Sequence, residues 1–176
     1  MTGQDRPAEL HFELTPNDHP RSDEERAALL ANPGFGKVFT DHMALATWTT
    51  EAGWHDAQVR AYGPLSLMPA AAVLHYAQEV FEGLKAYRHA DGSIWSFRPE
   101  ANAQRLQRSC RRLALPELPV DDFVGSLKAL VEVDKAWVPA AGTGETSLYL
   151  RPFMFASEAF LGVRPAAAVT YAVITS

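Results

Sequence analysis

The 176-residue sequence predicts an α+β fold: a mostly antiparallel sheet with two flanking helices. Three observations predict it. Strand-like runs come first, two helical runs follow, and strand-like runs return, an order that suits segregated strands and helices better than βαβ repeats. Asp91-Gly92 separates two β-rich runs, which is a hairpin signal. Apolar residues then recur at helical spacing in two successive stretches.

Taken in order, residues 1–34 are polar and carry Pro7, Pro16, Pro20 and Pro33. They read as an irregular arm with one short helix over 23–31. Residues 35–49 hold Val38, Phe39, Met43, Leu45 and Trp48, a strand composition, and 57–62 reads as a second strand. Gly63-Pro64 marks a turn. Residues 70–80 are mixed, with Leu74 and Ala77 expected inside. Residues 84–88 and 94–97 form the two arms of the hairpin.

Pro99 suits the first position of a helix, and Glu100 suits its first turn. Leu106, Cys110 and Leu113 make one apolar stripe of that helix. A second helix is expected from Asp121 as N-cap, with Phe123, Leu127, Leu130 and Val131 inward and Pro139 as its stop. Residues 140–145 read as a loop, and 146–155 and 167–175 as strands. The chain stops at Ser176 directly after an apolar strand, from which a continuation is expected.

Composition narrows the function classes. A net charge of −5 and a pI near 5.6 give the chain no general attraction for nucleic acid or anionic lipid. Cys110 is the only cysteine, so no internal disulfide forms. MTGQDRPAEL lacks the apolar core of a signal peptide, and no run approaches the ~20 apolar residues of a membrane span. A cytoplasmic enzyme or binding domain is the expectation. There is no HExxH, GxSxG, Walker loop or paired metal-ligand spacing, and the six histidines are scattered, so no metal site is assigned. Asp41 and His42, neighbours on a strand, are expected to point to opposite faces. Gly142-Thr143-Gly144 reads as a plain loop.

Two patterns carry possible chemistry. Arg105, Arg108 and Arg112 share one helix face, either as a solvated basic face or as an anion site that grips phosphate through the forked guanidinium. Arg105 borders the apolar stripe and is the best placed for a partly buried phosphate. On the strand over 146–155, Ser147, Tyr149 and Arg151 share one face, while Leu148 and Leu150 share the other. That face is either ordinary sheet surface or a pocket wall. Tyr76 and Phe81, read alone, are core aromatics.

Six blocks narrow the choice: FGKVFTDHM (35–43), LHYAQEVFEGLKAYR (74–88), FRPEANAQRLQRS (97–109), LVEVDKAWVP (130–139), TSLYLRP (146–152) and EAFLGVRP (158–165). In this order and spacing the chain resembles the branched-chain amino acid aminotransferases, from about Phe35 to Ser176. The resemblance implies the small N-terminal domain of a fold-type IV enzyme using pyridoxal 5'-phosphate (PLP). The arm would span 1–34, the domain 35–176, and a second domain beyond 176 would carry the PLP lysine.

The implied enzyme is a homodimer that moves the amino group of leucine, isoleucine or valine to 2-oxoglutarate, giving glutamate and a branched 2-oxo acid. By matching position, Arg105 resembles the residue that holds the PLP phosphate. Phe35, Tyr76, Phe81 and Tyr149 resemble the aromatic walls of the substrate pocket, Arg151 its supporting arginine, and Leu161 and Val163 a loop reaching the partner subunit's site. Lys37, Lys85, Lys128 and Lys135 do not match the PLP lysine, so no catalytic residue is assigned and the chain alone is expected to be inactive. Rival readings are a D-amino acid aminotransferase, an aminodeoxychorismate lyase, or a non-catalytic assembly module. The long arm and the TSLYLRP and EAFLGVRP blocks argue against the first two.

Overall fold

The computed structural model describes residues 9–142 and 146–176. Residues 1–8 of the arm, and 143–145 of the expected 140–145 loop with its Gly142-Thr143-Gly144 stretch, lie outside the described residues. In chain order the elements are β1 (Glu13–Leu14), α1 (Asp23–Leu30), β2 (His42–Thr49), β3 (Gly53–Ala61), α2 (Ala72–Tyr76), β4 (Glu79–Phe81), β5 (Leu84–Arg88) and β6 (Ile94–Ser96). Then come α3 (Pro99–Arg112), α4 (Val120–Val133), a 3-10 turn (Lys135–Trp137), β7 (Leu148–Ala156) and β8 (Ala168–Thr175).

The strands form one sheet in the order β1-β3-β2-β8-β7-β5-β6, with β4 pairing beside β5 on β7. Every pair is antiparallel except β1 with β3. The α+β expectation holds, with α3 and α4 against one face.

Strand alternation divides the sheet's two faces. On β7, Leu148, Leu150 and Met154 are buried, while Tyr149, Arg151 and Phe153 are half-buried. The buried set packs with Ala103, Leu106 and Cys110 of α3, Phe123, Leu127 and Leu130 of α4, and Tyr171 and Val173 of β8. A smaller cluster of Met43, Leu45 and Ala172, flanked by Leu65, Phe153 and Ile174, lies apart from it. Tyr171 is fully buried, and its hydroxyl shares a 2.9 Å hydrogen bond with Ser126 Oγ of α4, so a polar tip is matched where it meets the helix.

Several expectations need correction. The arm is not irregular throughout: β1 extends the sheet, and Phe12 joins the core. Leu74 and Ala77 are exposed, because α2 is only five residues long and buries Ala72 alone. Leu113 follows α3 as its C-cap and is 40% exposed, while Ala103 takes the inward place one turn before Leu106. Pro119, not Asp121, caps α4, and Asp121 sits in its first turn, where the helix dipole favours it. α4 ends at Val133, well before Pro139.

Asp41 and His42 do not serve opposite faces. Asp41 precedes β2, so strand alternation does not govern it. Its Oδ2 accepts a 2.8 Å bond from Trp137 Nε1. Asp134, at the end of α4, accepts from the His42 backbone N–H at 3.0 Å and bonds His42 Nδ1 at 2.7 Å. His42 Nε2 accepts from the Asn17 backbone N–H at 3.0 Å, which makes Nδ1 the protonated nitrogen. Arm, first long strand and helix end thus meet at one buried imidazole.

Asp134→Ala should destabilise the fold by roughly 2–3 kcal/mol, because two buried donors of His42 lose their acceptor. Urea unfolding reads this as a lower midpoint at unchanged slope.

Candidate functional site

Residues 79–86 run along β7 in one register. Phe81 pairs with Phe153 and Leu84 with Leu150, which sets Glu82 opposite Pro152 and Gly83 opposite Arg151. Glu82 N–H still donates to Pro152 O at 2.8 Å. Proline has no N–H to return, so the ladder lapses there and divides β4 from β5.

Alternation through this lapse sends Val80, Glu82 and Leu84 toward the helices, and Phe81 and Gly83 to the other face. On that other face Arg151 is the hub. Its Nη2 and Nε donate to Tyr149 Oη at 2.9 and 3.2 Å, and its guanidinium lies 4.3 Å from the Phe81 ring centre. Phe35 meets Tyr149 edge-on at 5.2 Å. Gly83 makes this possible: a Cβ there would collide with Tyr149 Oη and lie 3.0 Å from its Cζ.

On the helical side Glu82 is 3% exposed. Arg105 Nε donates to one carboxylate oxygen at 2.7 Å and Nη2 to the other at 2.6 Å. Asn102 Nδ2 donates to Glu82 Oε2 at 2.9 Å and reaches Gly83 O at 3.3 Å. Burial pushes the Glu82 carboxyl up, but the Arg105 and Asn102 hydrogen bonds and the guanidinium charge outweigh it, holding it below the usual glutamate value. Bonding to Glu82 and its charge push Arg105 up. Arg98, at a left-handed φ of 50°, turns the chain from β6 straight into α3 and so aims Arg105 at β4.

Arg105, Arg108, Ser109 and Arg112 line an open cavity of about 480 Å3, closed on its other side by Val80 and Phe81. Phe81 therefore belongs to both neighbourhoods, the arginine cavity and the Arg151 cluster. Arg105 keeps its Nη1 edge beyond the Glu82 pair, and its side chain is 58% exposed. Three guanidinium groups and a hydroxyl, against the single carboxylate of Glu79 at the rim, suit a phosphate-sized anion.

Tyr76 and Phe81 are 43% and 61% exposed, so neither is a core aromatic. Tyr76 has other partners than the Arg151 cluster: its Oη accepts from Gly162 N–H at 2.7 Å, and its ring is 6.4 Å from Phe160. The loop around Gly162 is tied down by Glu158, which accepts from both Arg164 Nη atoms and from Ala167 N–H. Leu161 and Val163 stand on it, 73% and 95% exposed. Cys110, on α3, is wholly buried with its Sγ 3.7 Å from Met154 Sδ, and burial pushes its thiol up to about 12.

Glu82, Asn102 and Gly83 escaped the sequence reading. The signal was present in period-2 alternation: Val80, Glu82, Leu84 and Ala86 fall on one face, and a carboxylate among three apolar neighbours demands a cation.

Gly83→Ala should displace the Tyr149 hydroxyl and release Arg151 from it, lowering the thermal midpoint while the helices persist; comparison of near- and far-UV circular dichroism checks this. Acid should act through Glu82. Its folded pKa is lowered, so the stabilisation of the pair is complete above the ordinary glutamate pKa and is lost as pH falls through the depressed one. Acid unfolding of Glu82→Gln should lack that component.

No family model matches the chain. It is 63% identical to a probable branched-chain-amino-acid aminotransferase of Streptomyces coelicolor over 165 residues, 94% of this chain and 45% of that protein. Identity to the branched-chain-amino-acid aminotransferase of Mycolicibacterium smegmatis is 60% over 167 residues, 95% of this chain and 45% of that protein. In fold, the chain is similar to the branched-chain aminotransferase of Thermoproteus uzoniensis solved with norvaline, with a TM-score of 0.57 at 18% identity over 76% of this chain and 40% of that one. The T.th. branched-chain amino acid aminotransferase complexed with N-(5'-phosphopyridoxyl)-L-glutamate superposes with a TM-score of 0.50 at 23% identity, covering 74% and 40%. The chain spans about 45% of the length of the curated relatives it matches, and over that stretch it is similar to proteins named branched-chain-amino-acid aminotransferases.

Proposed function

We propose that this chain supplies the phosphate-binding and side-chain-binding half of a PLP-dependent branched-chain aminotransferase. The whole enzyme would exchange the amino group of leucine, isoleucine or valine with 2-oxoglutarate. One observation carries the reading: Phe81 joins a cavity rimmed by three arginines to an aromatic cluster centred on Arg151.

In this reading Arg105 holds the cofactor phosphate through the Nη1 edge that Glu82 leaves open. Phe35, Phe81 and Tyr149 enclose the aliphatic side chain, where a dry aromatic wall suits a branched hydrocarbon. Arg151, steadied by Tyr149 and Phe81, receives the second carboxylate when glutamate takes the same place. Tyr76 fixes the 158–167 loop through Gly162. Bound PLP supplies the electron sink for chemistry at the amino acid's α-carbon. Its lysine is assigned to a segment outside this chain, as Lys85 lies on β5 opposite Tyr149 and the other three lysines match no such position.

The reading includes a homodimer, supported by the exposure of Leu161 and Val163, which suits apolar residues that enter a partner's site. It also includes a cytoplasmic location, in keeping with a lone cysteine kept as a buried thiol.

Arg105→Ala should weaken PLP binding by roughly 10- to 100-fold, the loss of one charged hydrogen-bond partner. Fluorescence titration of the chain with PLP, and with pyridoxal as the phosphate-free control, tests it. Unchanged affinity for PLP would remove Arg105 from the phosphate site.

A further inference from the structure

We infer that Glu82 is a positioning residue for Arg105, holding the guanidinium at the mouth of the arginine cavity so that its outer edge meets a phosphate. The inference rests on the reading of Arg105 as a phosphate ligand.

Glu82 is 3% exposed and lies on the core face of its strand between Val80 and Leu84. A carboxylate there is tolerated only when its oxygens are satisfied. Arg105 Nε and Nη2 and Asn102 Nδ2 satisfy them, at 2.6–2.9 Å. The pairing is planar and two-pronged, which fixes both where the guanidinium sits and how it is turned. Arg105 would otherwise be a long, 58% exposed side chain with many rotamers. Tied by its inner edge, it presents the two Nη1 N–H groups and the second N–H of Nη2 outward.

The anchor is itself fixed. Glu82 N–H bonds Pro152 O, Asn102 bridges to Gly83 O, and the flanking Phe81 and Gly83 are held against Arg151 and Tyr149. Three consecutive residues thus set the phosphate arm and the Arg151 cluster on either side of Phe81, which borders both.

An opposing effect makes the inference decidable by sign. Glu82 cancels the charge of Arg105. If charge alone mattered, removing the carboxylate would tighten an anion. If orientation matters more, removing it loosens the anion, even though the cavity becomes more positive. Arg108, Arg112 and Glu79 line the same cavity, and among the described residues no ion pair joins either arginine to a carboxylate, so three guanidinium groups outnumber the Glu79 and Glu82 carboxylates and the site keeps positive charge in both cases.

The chain and its Glu82→Gln, Glu82→Asp and Arg105→Ala variants are titrated with PLP and with pyridoxal, while the Arg105 Nε–H resonance is followed by 15N NMR. Glu82→Gln should weaken PLP roughly tenfold, leave pyridoxal unchanged, and erase the carboxylate-bonded Nε–H signal. Glu82→Asp should recover part of the affinity. Equal or tighter PLP binding by Glu82→Gln, with Arg105→Ala weakened, overturns the positioning role alone. Unchanged binding by Arg105→Ala overturns the phosphate reading and this inference with it. Should Glu82→Gln fail to fold, Asn102→Ala removes the amide's hold on Oε2 and on Gly83 O while leaving the Arg105–Glu82 pair itself in place. It should show about a two- to threefold loss of PLP affinity, and no loss overturns the inference.

Discussion

The pairing of residues 79–86 along β7 is the constraint on which the site depends. One register runs through β4 and β5, so alternation is carried across Glu82 and Gly83 even where Pro152 interrupts the ladder. A shift by one residue would send Glu82 to the open face and Phe81 into the helices. Every relation in the site, from Arg105 on Glu82 to Arg151 on Phe81 and Tyr149 against Gly83, is therefore one consequence of strand register.

The helical layer makes that register hard to lose. Ala103, Leu106 and Cys110 of α3 and Phe123, Leu127 and Leu130 of α4 fill the face that β7 and β8 present. Polar anchors fix the far end: Asp134 on His42, Asp41 under Trp137, and Ser126 on Tyr171. Each satisfies a buried polar group and also ties α4 or the turn after it to a strand or its lead-in, so apolar packing supplies adhesion and these pairs supply alignment.

Much of this was legible in the residues. Period-2 alternation revealed the strand over 146–155 and an apolar run the one over 167–175, Asp91-Gly92 revealed the hairpin, and Pro99 revealed where α3 begins. The shared face of Tyr149 and Arg151 followed from alternation alone. What escaped depends on partners distant in sequence. Leu74 looks like a core residue until α2 proves too short to bury it. Asp41 and His42 look like opposed neighbours until the end of α4 brings Asp134 and Trp137 to both. Glu82 shows its role only through Arg105 and Asn102, which lie some twenty residues on along the chain. The arginine face of α3 read equally well as solvated surface, because only the approach of β4 turns it into a cavity wall.

The buried thiol of Cys110 has a use of its own. It sits on the same helix as Arg105, wholly enclosed, against Met154 of β7, with its ionisation pushed up to about 12. A thiol so placed reacts with an alkylating reagent only while α3 has lifted from the sheet. Its modification rate is thus a clock for that lifting. It times separately the opening of the one interface on which the arginine cavity is built, with no label added to the molecule.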